Sequence, residues 1–441
     1  MAAQELDILL AKLRQLTPIR HFGAINSIAS SGLNVIGLGH CGKLGDLVSI
    51  KIDKGNTIGG EITALNKDHV FVVPYGSLDG LSIGAEVELL SSDCVRPHES
   101  WIGGIFDSCG SPLDQRTPDF GLRDMPLKNQ APAAFNRKKI GSRLATGLNI
   151  FNTILPIVRG QRMGIFAGSG VGKSTLLGQL AQGLDSDVVV IALVGERGRE
   201  VREFVDSVLG KAGMSKSVLI VATSDQAPIL KRRAVWTAMA VAEYFRGRGQ
   251  HVLLIVDSIT RFAEAHREIA LSSGEKPSLS AFPPSTGNLI SALVERAGPG
   301  TENEGDITAI FSVLVAGSDM EEPIADICRG VLDGHVVLDR AIAERGRFPA
   351  IDVRKSVSRS LPEAASESEN ITIGNVRRIL GTYFDSEAII RTGIYEKGNN
   401  AEIDESIRLW PEFEQFFSGK LVASVESSFR ELGAIIESRS S

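Results

Sequence analysis

Apolar positions along the chain change their period three times, and each change predicts a different kind of unit. Leu6, Leu9, Leu13 and Leu16 recur at spacings of three, four and three, with Asp7, Lys12 and Arg14 elsewhere on the wheel, until Thr17-Pro18 stops the pattern. This predicts a short amphipathic helix over residues 1–20, which either folds back on its own domain or binds a partner. From His21 to about Leu90 short strand-like runs take over, such as Leu47-Val48-Ser49-Ile50-Lys51-Ile52 and His69-Val70-Phe71-Val72-Val73, separated by glycine-containing turns. Close-set short strands of this kind fit a small N-terminal β-barrel over 21–95. Farther on, apolar strands alternate with longer helical patterns: 187–194 then 199–210, 217–223 then 228–248, and 251–257 then 260–271. Further strand patterns cover 306–316 and 335–338. The alternation predicts an α/β domain with a mainly parallel sheet over 96–360. Beyond Leu361 the pattern is mainly helical, with Leu421, Val425, Phe429, Leu432 and Ile436 on one face, and 361–441 reads as a C-terminal helical domain.

One junction in this pattern carries chemistry. Ala167-Gly168-Ser169-Gly170-Val171-Gly172-Lys173-Ser174 follows the apolar run Met163-Gly164-Ile165-Phe166 and precedes the helix-prone Thr175-Leu176-Leu177. Strand, glycine loop and helix start together form a phosphate cradle: backbone N–H groups converge on anionic oxygens and the helix dipole adds partial positive charge. Lys173 supplies a point charge for the β- and γ-phosphates, Ser174 a hydroxyl for Mg²⁺, and ATP is the expected substrate. Ala167 replaces the usual first glycine, a position that accepts a small side chain when φ is negative.

Charge and cysteine content narrow the setting. With 47 basic and 53 acidic residues the net charge is −6, which does not indicate a basic nucleic-acid or membrane surface. Cys41, Cys94, Cys109 and Cys328 are widely spaced without a C-x-x-C pair, as expected of reduced thiols in the cytoplasm. No apolar run approaches the length needed to cross a bilayer, and no signal peptide is expected.

Two further strand ends complete a candidate site. Leu253-Leu254-Ile255-Val256-Asp257 is an apolar strand ending in a carboxylate. In a parallel sheet it would face the phosphate loop and associate with Mg²⁺. The apolar strand ending at Val194 leads into Gly195-Glu196-Arg197-Gly198-Arg199-Glu200. A carboxylate there could orient the water that attacks the γ-phosphorus, but spacing alone does not choose between Glu196 and Glu200.

With these residues in view, the chain resembles the catalytic-subunit family of rotary ATP synthases. It is most similar to the type III export ATPases, above all their flagellar branch. The resemblance rests on Gly195 to Glu200, on Asp257-Ser258-Ile259-Thr260-Arg261, and on Pro349-Ala350-Ile351-Asp352-Val353-Arg354-Lys355-Ser356-Val357-Ser358-Arg359. It is supported by Phe282-Pro283-Pro284-Ser285, Leu293-Val294-Glu295-Arg296-Ala297-Gly298 and Gly330-Val331-Leu332-Asp333-Gly334-His335. It implies a β-barrel, a RecA-like nucleotide-binding domain and a helical tail. It also implies that Glu196 positions the hydrolytic water, that Arg197 lies near the γ-phosphate, and that Asp257 associates with Mg²⁺. Phe348 would stack on adenine, and Arg359 would be the arginine finger reaching the neighbouring subunit's site.

A chain with both Glu196 and Arg359 holds both halves of a composite site, so a homohexamer of identical subunits would be catalytically complete. The resemblance further implies a central coiled-coil stalk protein in a pore lined by Phe282, Pro283 and Pro284, and a dimeric stator-like regulator gripping Leu6, Leu9, Leu13 and Leu16. Export-gate proteins and export chaperones are the remaining implied partners, with the protein cytoplasmic and peripheral to the membrane. The alternatives are a virulence-type secretion ATPase, a catalytic subunit of a proton-translocating rotary ATPase, and an RNA-translocating hexamer of the transcription-terminator type. The last needs a single-strand-binding barrel with stacking aromatics and basic residues, and the barrel segment offers only Phe22, Phe71 and Tyr75. No nucleic acid is expected.

Overall fold

The computed structural model describes residues 19–437 except 30, 54, 91–92, 279–280, 316–319 and 419–423. The amphipathic helix expected over 1–20, with its four leucines, lies outside the described residues apart from Ile19 and Arg20.

Six antiparallel strands close into a barrel: β1 (His21–Ala29), β2 (Gly32–Ile36), β3 (Leu47–Lys51), β4 (Thr57–Leu65), β5 (Val70–Pro74) and β6 (Glu86–Leu89), in the order β1-β2-β5-β4-β3-β6. Period-two alternation fills its interior. Leu33, Val35, Val48, Ile50, Val70, Val72 and Val87 are buried together with Ile25 and Ile62, and closure through the β1–β6 pairing leaves no free sheet edge.

The second unit is built on a mainly parallel sheet. Its strands are β7 (Ile105–Phe106), β8 (Arg162–Ala167), β9 (Val188–Val194), β10 (Ser217–Ala222), β11 (His251–Asp257), β12 (Asp306–Leu314), β13 (Gly334–Leu338) and β14 (Val357–Ser358). They run β14-β13-β8-β12-β11-β9-β10-β7, with β14 antiparallel at one edge. Alternate residues of one strand serve two cores. Val188, Val190, Ala192 and Val194 face the side covered by the helices Pro228–Arg246, Ile259–Ser272 and Ser285–Arg296, while Val189, Ile191 and Leu193 face Leu176, Leu177 and Leu180 of the helix Lys173–Gly183. Burial on both faces is why these strands read as continuous apolar runs.

The helices Glu367–Arg391, Ala401–Phe417 and Val425–Glu437 add Val376, Ile379, Leu380, Leu409, Phe413, Phe416, Phe417 and Leu432 to that second core. Ser366 and Glu369 form a reciprocal capping box that starts the first of them. The segment expected as one helix over 199–210 is a helix at Gly198–Glu203, a widened π-type turn at Phe204–Leu209, and a helix at Gly210–Met214. Its Val208 lies so near Gly178 that a Cβ there would meet Val208 Cγ1 at 2.1 Å, so the helix Lys173–Gly183 is held against this segment by a glycine contact.

Buried charge joins barrel to core. Glu61 of β4, 1 % exposed, accepts from Lys128 Nζ at 2.9 Å and from Arg232 at 3.1 Å, and Arg233 pairs with Asp93.

Candidate active site

Glycines make the loop after β8 possible. Gly170 and Gly172 take φ values of 76° and 87°, a region that side chains disfavour, and the helix begins at Lys173 with Gly172 as its cap. N–H groups of the first turn therefore face the loop's interior. A cleft of about 1030 Å³ opens there, lined by the loop residues Ala167 to Gly170 and Gly172 to Thr175, and by Gly195, Glu196, Arg197 and Glu200. Val171 is buried beneath.

Three strand ends bring the charged groups together. Asp257 ends β11 and is 2 % exposed, Glu196 follows β9 on the neighbouring strand, and Lys173 reaches both from the helix start. Lys173 Nζ donates to Asp257 Oδ1 and, at 3.4 Å, to Glu196 Oε1. Ser312, on β12 between β8 and β11, donates its hydroxyl to Asp257 Oδ1 at 2.6 Å. Burial disfavours the Lys173 ammonium, but attraction to Asp257 and then Glu196 more than offsets it, and its pKa is raised. Burial is also the main cause that raises the Glu196 pKa. Lys173 opposes the rise, and Asp257 and a hydrogen bond with Glu200 add to it. One ammonium serves two carboxylates here, and the deeper Asp257 takes the larger share.

Glu200 lies in the same cleft but is engaged differently, 3.8 Å from Arg197 and 3.5 Å from Arg199 at the start of a helix. The Arg197 side chain is 69 % exposed at the cleft rim. Phe348 lies over the loop, where a Cβ on Gly172 would meet its ring at 3.1 Å, and its half-exposed face is open. Arg359 is not brought into this cleft. It follows the edge strand β14, is exposed, and donates to the Arg329 carbonyl at 2.9 Å. Phe282 is partly buried on the core under Arg267 at 5.0 Å, Pro283 is buried and Pro284 exposed. The cleft also contains Thr260 and Arg261 of the run that begins at Asp257, and Lys231, Glu264 and Glu268, which the sequence pattern did not single out. Nor did it single out Ser312, the hydroxyl partner of Asp257. A serine inside the apolar run Ile310-Phe311-Ser312-Val313 was the available signal.

The donor set suits a hard divalent cation. Ser174, Glu196, Glu200 and Asp257 line one small cavity of about 200 Å³, so hydroxyl and carboxylate oxygens converge beside the phosphate loop without a competing thiol or imidazole.

The model of the ATP synthase alpha/beta family nucleotide-binding domain matches residues 147–358, and that of the family's beta-barrel domain matches 35–90. A flagellum-specific ATP synthase from Caulobacter vibrioides is 40 % identical over 441 residues, spanning 98 % of this chain and 99 % of its own. The chain belongs to the ATP synthase alpha/beta family. It is an ATPase. Within the family, a flagellum-specific ATP synthase from Bacillus subtilis is 40 % identical over 90 % of each chain. A T3SS EscN ATPase C-terminal domain model matches residues 365–432. The assembled ATPase EscN of the enteropathogenic E. coli type III secretion system, solved in complex with its central stalk EscO, superposes with a TM-score of 0.85 at 34 % identity, covering 94 % of this chain and all of that one. Among the described residues no helix is long and apolar enough to cross a membrane.

Proposed function

We propose that this family member hydrolyses ATP in a ring of six identical subunits and so energises export of flagellar proteins. The observation that carries the reading is the contrast between Glu196, held beside Lys173 and Asp257 inside the cleft, and Arg359, exposed on the sheet edge outside it.

In this reading the loop N–H groups and Lys173 bind the phosphates, and Lys173 leaves its two carboxylates to do so. Asp257 and Ser174 would hold Mg²⁺, which neutralises charge on the β- and γ-phosphates. Glu196, released from the ammonium, orients the attacking water and accepts its proton at a carboxylate oxygen. The Phe348 ring packs on adenine, Arg197 faces the γ-phosphate from the rim, and Arg359 of each subunit completes the neighbour's site by meeting charge that develops on the transferred group.

Names of the relatives support the flagellar assignment, and the EscN complex with EscO supports a central stalk partner. Phe282, Pro283 and Pro284 would then line the pore and bear on that stalk, with residues 1–18 taken by a dimeric regulator. Gate proteins and chaperones would hold the otherwise cytoplasmic ring at the membrane. The barrel offers little to nucleic acid: Tyr75 is half-buried beside Arg233, Phe71 is half-buried against Val73, Ile229 and Ile269, and only Phe22 of the three aromatics is exposed.

Measuring ATPase rate per subunit across protein concentration tests the ring. The rate should rise as subunits assemble; a constant rate from dilute monomer upward would contradict it.

A further inference from the structure

At one end of the barrel, remote in sequence from the phosphate loop, a second ligand-bearing cluster is assembled. His21 opens β1, and His40 and Cys41 lie in the turn after β2. One donor atom from each of the three side chains lies within 4.8 Å of the other two. The imidazoles stand edge to face, with centroids 6.1 Å apart.

The backbone holds these residues close for reasons that can be traced. Gly23 and Gly37 face each other across β1 and β2: a Cβ on Gly23 would meet Ile36 O at 2.5 Å, and Gly37, at φ 89°, lies 3.3 Å from Gly23 Cα by the same measure. No side chain fits between them, so the His40-Cys41 turn is drawn against the strand that begins with His21. The turn itself is pinned. Cys41 N and Gly42 N both donate to Leu38 O, at 3.2 and 2.8 Å, and Leu38 is fully buried in the barrel. A closed barrel thus positions all three side chains, and small χ rotations are what remains to bring them onto one ion.

We infer that His21, His40 and Cys41 form a binding site for a borderline-soft divalent cation of the zinc class. Two imidazoles and a thiol are the ligand types that such an ion selects, in contrast to the hydroxyl and carboxylate oxygens at the nucleotide cleft. Tetrahedral coordination at zinc–ligand distances requires donor atoms about 3.5 Å apart, a contraction on the order of 1 Å from the spacing observed. The Cys41 thiol now donates to Leu38 O at 3.6 Å. On binding, its proton goes to solvent and the sulfur bonds the metal as thiolate, so one proton is released per ion. Three protein ligands leave a fourth position for water. The ion would fasten the start of β1 to the adjoining turn.

Untagged, nucleotide-free protein titrated with Co²⁺ in excess Mg²⁺, which occupies hard-oxygen sites, tests this. The wild type should bind one ion with a thiolate-to-cobalt absorption band, Zn²⁺ should displace the ion, and about one proton per ion should appear in weakly buffered solution. Cys41→Ser, nearly isosteric and therefore expected to fold, should lose the band. His21→Ala and His40→Ala should each weaken binding on the order of 10- to 100-fold or more. Zinc should raise the wild-type melting temperature and leave that of Cys41→Ser nearly unchanged. A band that persists in Cys41→Ser, or a wild type that binds no more tightly than the His21→Ala/His40→Ala/Cys41→Ser triple variant, would overturn the assignment.

Discussion

Replacing Lys173 by methionine should do more than weaken nucleotide binding: it should destabilise the empty protein. The ammonium is shared by Asp257 and, at 3.4 Å, by Glu196. At an effective dielectric of about 20, the attraction at that separation to Glu196 alone is about 5 kcal/mol before desolvation. Removing one partner of a buried pair costs roughly 3–5 kcal/mol net, because the other charge is left unmatched. Asp257 is 2 % exposed and, among the described residues, would keep its 2.6 Å bond from Ser312, so the effect should fall in that range, a large part of a domain's total stability. The sign of the pH dependence follows. Burial, and after it the Asp257 charge, raise the Glu196 pKa against the opposing pull of Lys173, so without the ammonium the folded mutant binds more protons at Glu196 than the unfolded chain does. Its deficit should be greatest near neutrality and shrink as pH falls through the raised Glu196 pKa. A second change, Asp257→Asn, removes the stranded charge and should recover most of the loss in the Lys173→Met background. Urea unfolding followed by the fluorescence of the buried Trp101 and Trp236 gives the four corners of this cycle. If Lys173→Met matches wild-type stability at neutral and at mildly acidic pH, or if the second change brings no recovery, the shared-ammonium reasoning fails.

The Glu196→Gln variant should bind MgATP with near-normal affinity while turnover falls roughly 10²–10⁴-fold, as single-turnover kinetics would show. In the wild type, kcat/KM should drop as pH falls through the raised pKa of Glu196, since its ionised form is the one that accepts a proton. Arg359→Ala should leave nucleotide affinity nearly intact and lower kcat by roughly 10³–10⁵-fold; a comparable loss of affinity would mean that the arginine holds the ground state. Deleting residues 1–18 should abolish capture by the dimeric regulator with little change in melting temperature or ATPase rate, whereas a sharp fall in melting temperature would assign the leucine stripe to the protein's own core.

Sequence pattern disclosed the parallel core most readily, because strands buried on both faces leave uninterrupted apolar runs such as Val188–Val194. Smaller elements were harder to see. Thr57–Leu65 carries Gly59 and Gly60, which dilute its alternation, yet a Cβ on Gly59 would meet the Tyr75 ring at 2.7 Å and one on Gly60 would crowd Val73 O at 3.1 Å, so close packing accompanies the glycines. The edge strand Ile105–Phe106 is too short for any period. Spacing could not separate Glu196 from Glu200, since each suits a site before a helix. The structure sets Glu196 ahead of the helix beside Lys173, and Glu200 within its first turn among arginines. Ser312 escaped notice because its partner, Asp257, is 55 positions away and meets it only through strand order. The expected single helix over 199–210 fails at Phe204–Leu209, where the turn widens beside the glycine-mediated contact with Gly178.

Mixing two inactive variants tests most directly whether the active site is shared between identical subunits. Arg359→Ala subunits keep Glu196, and Glu196→Gln subunits keep Arg359, so a mixed ring contains some interfaces at which an intact glutamate meets an intact arginine. With mixed rings confirmed by native mass spectrometry, ATPase activity should return at a fraction set by the mixing ratio, far above that of either variant alone. Rings that are demonstrably mixed yet no more active than their parents would contradict donation of Arg359 across the interface, and with it the composite site.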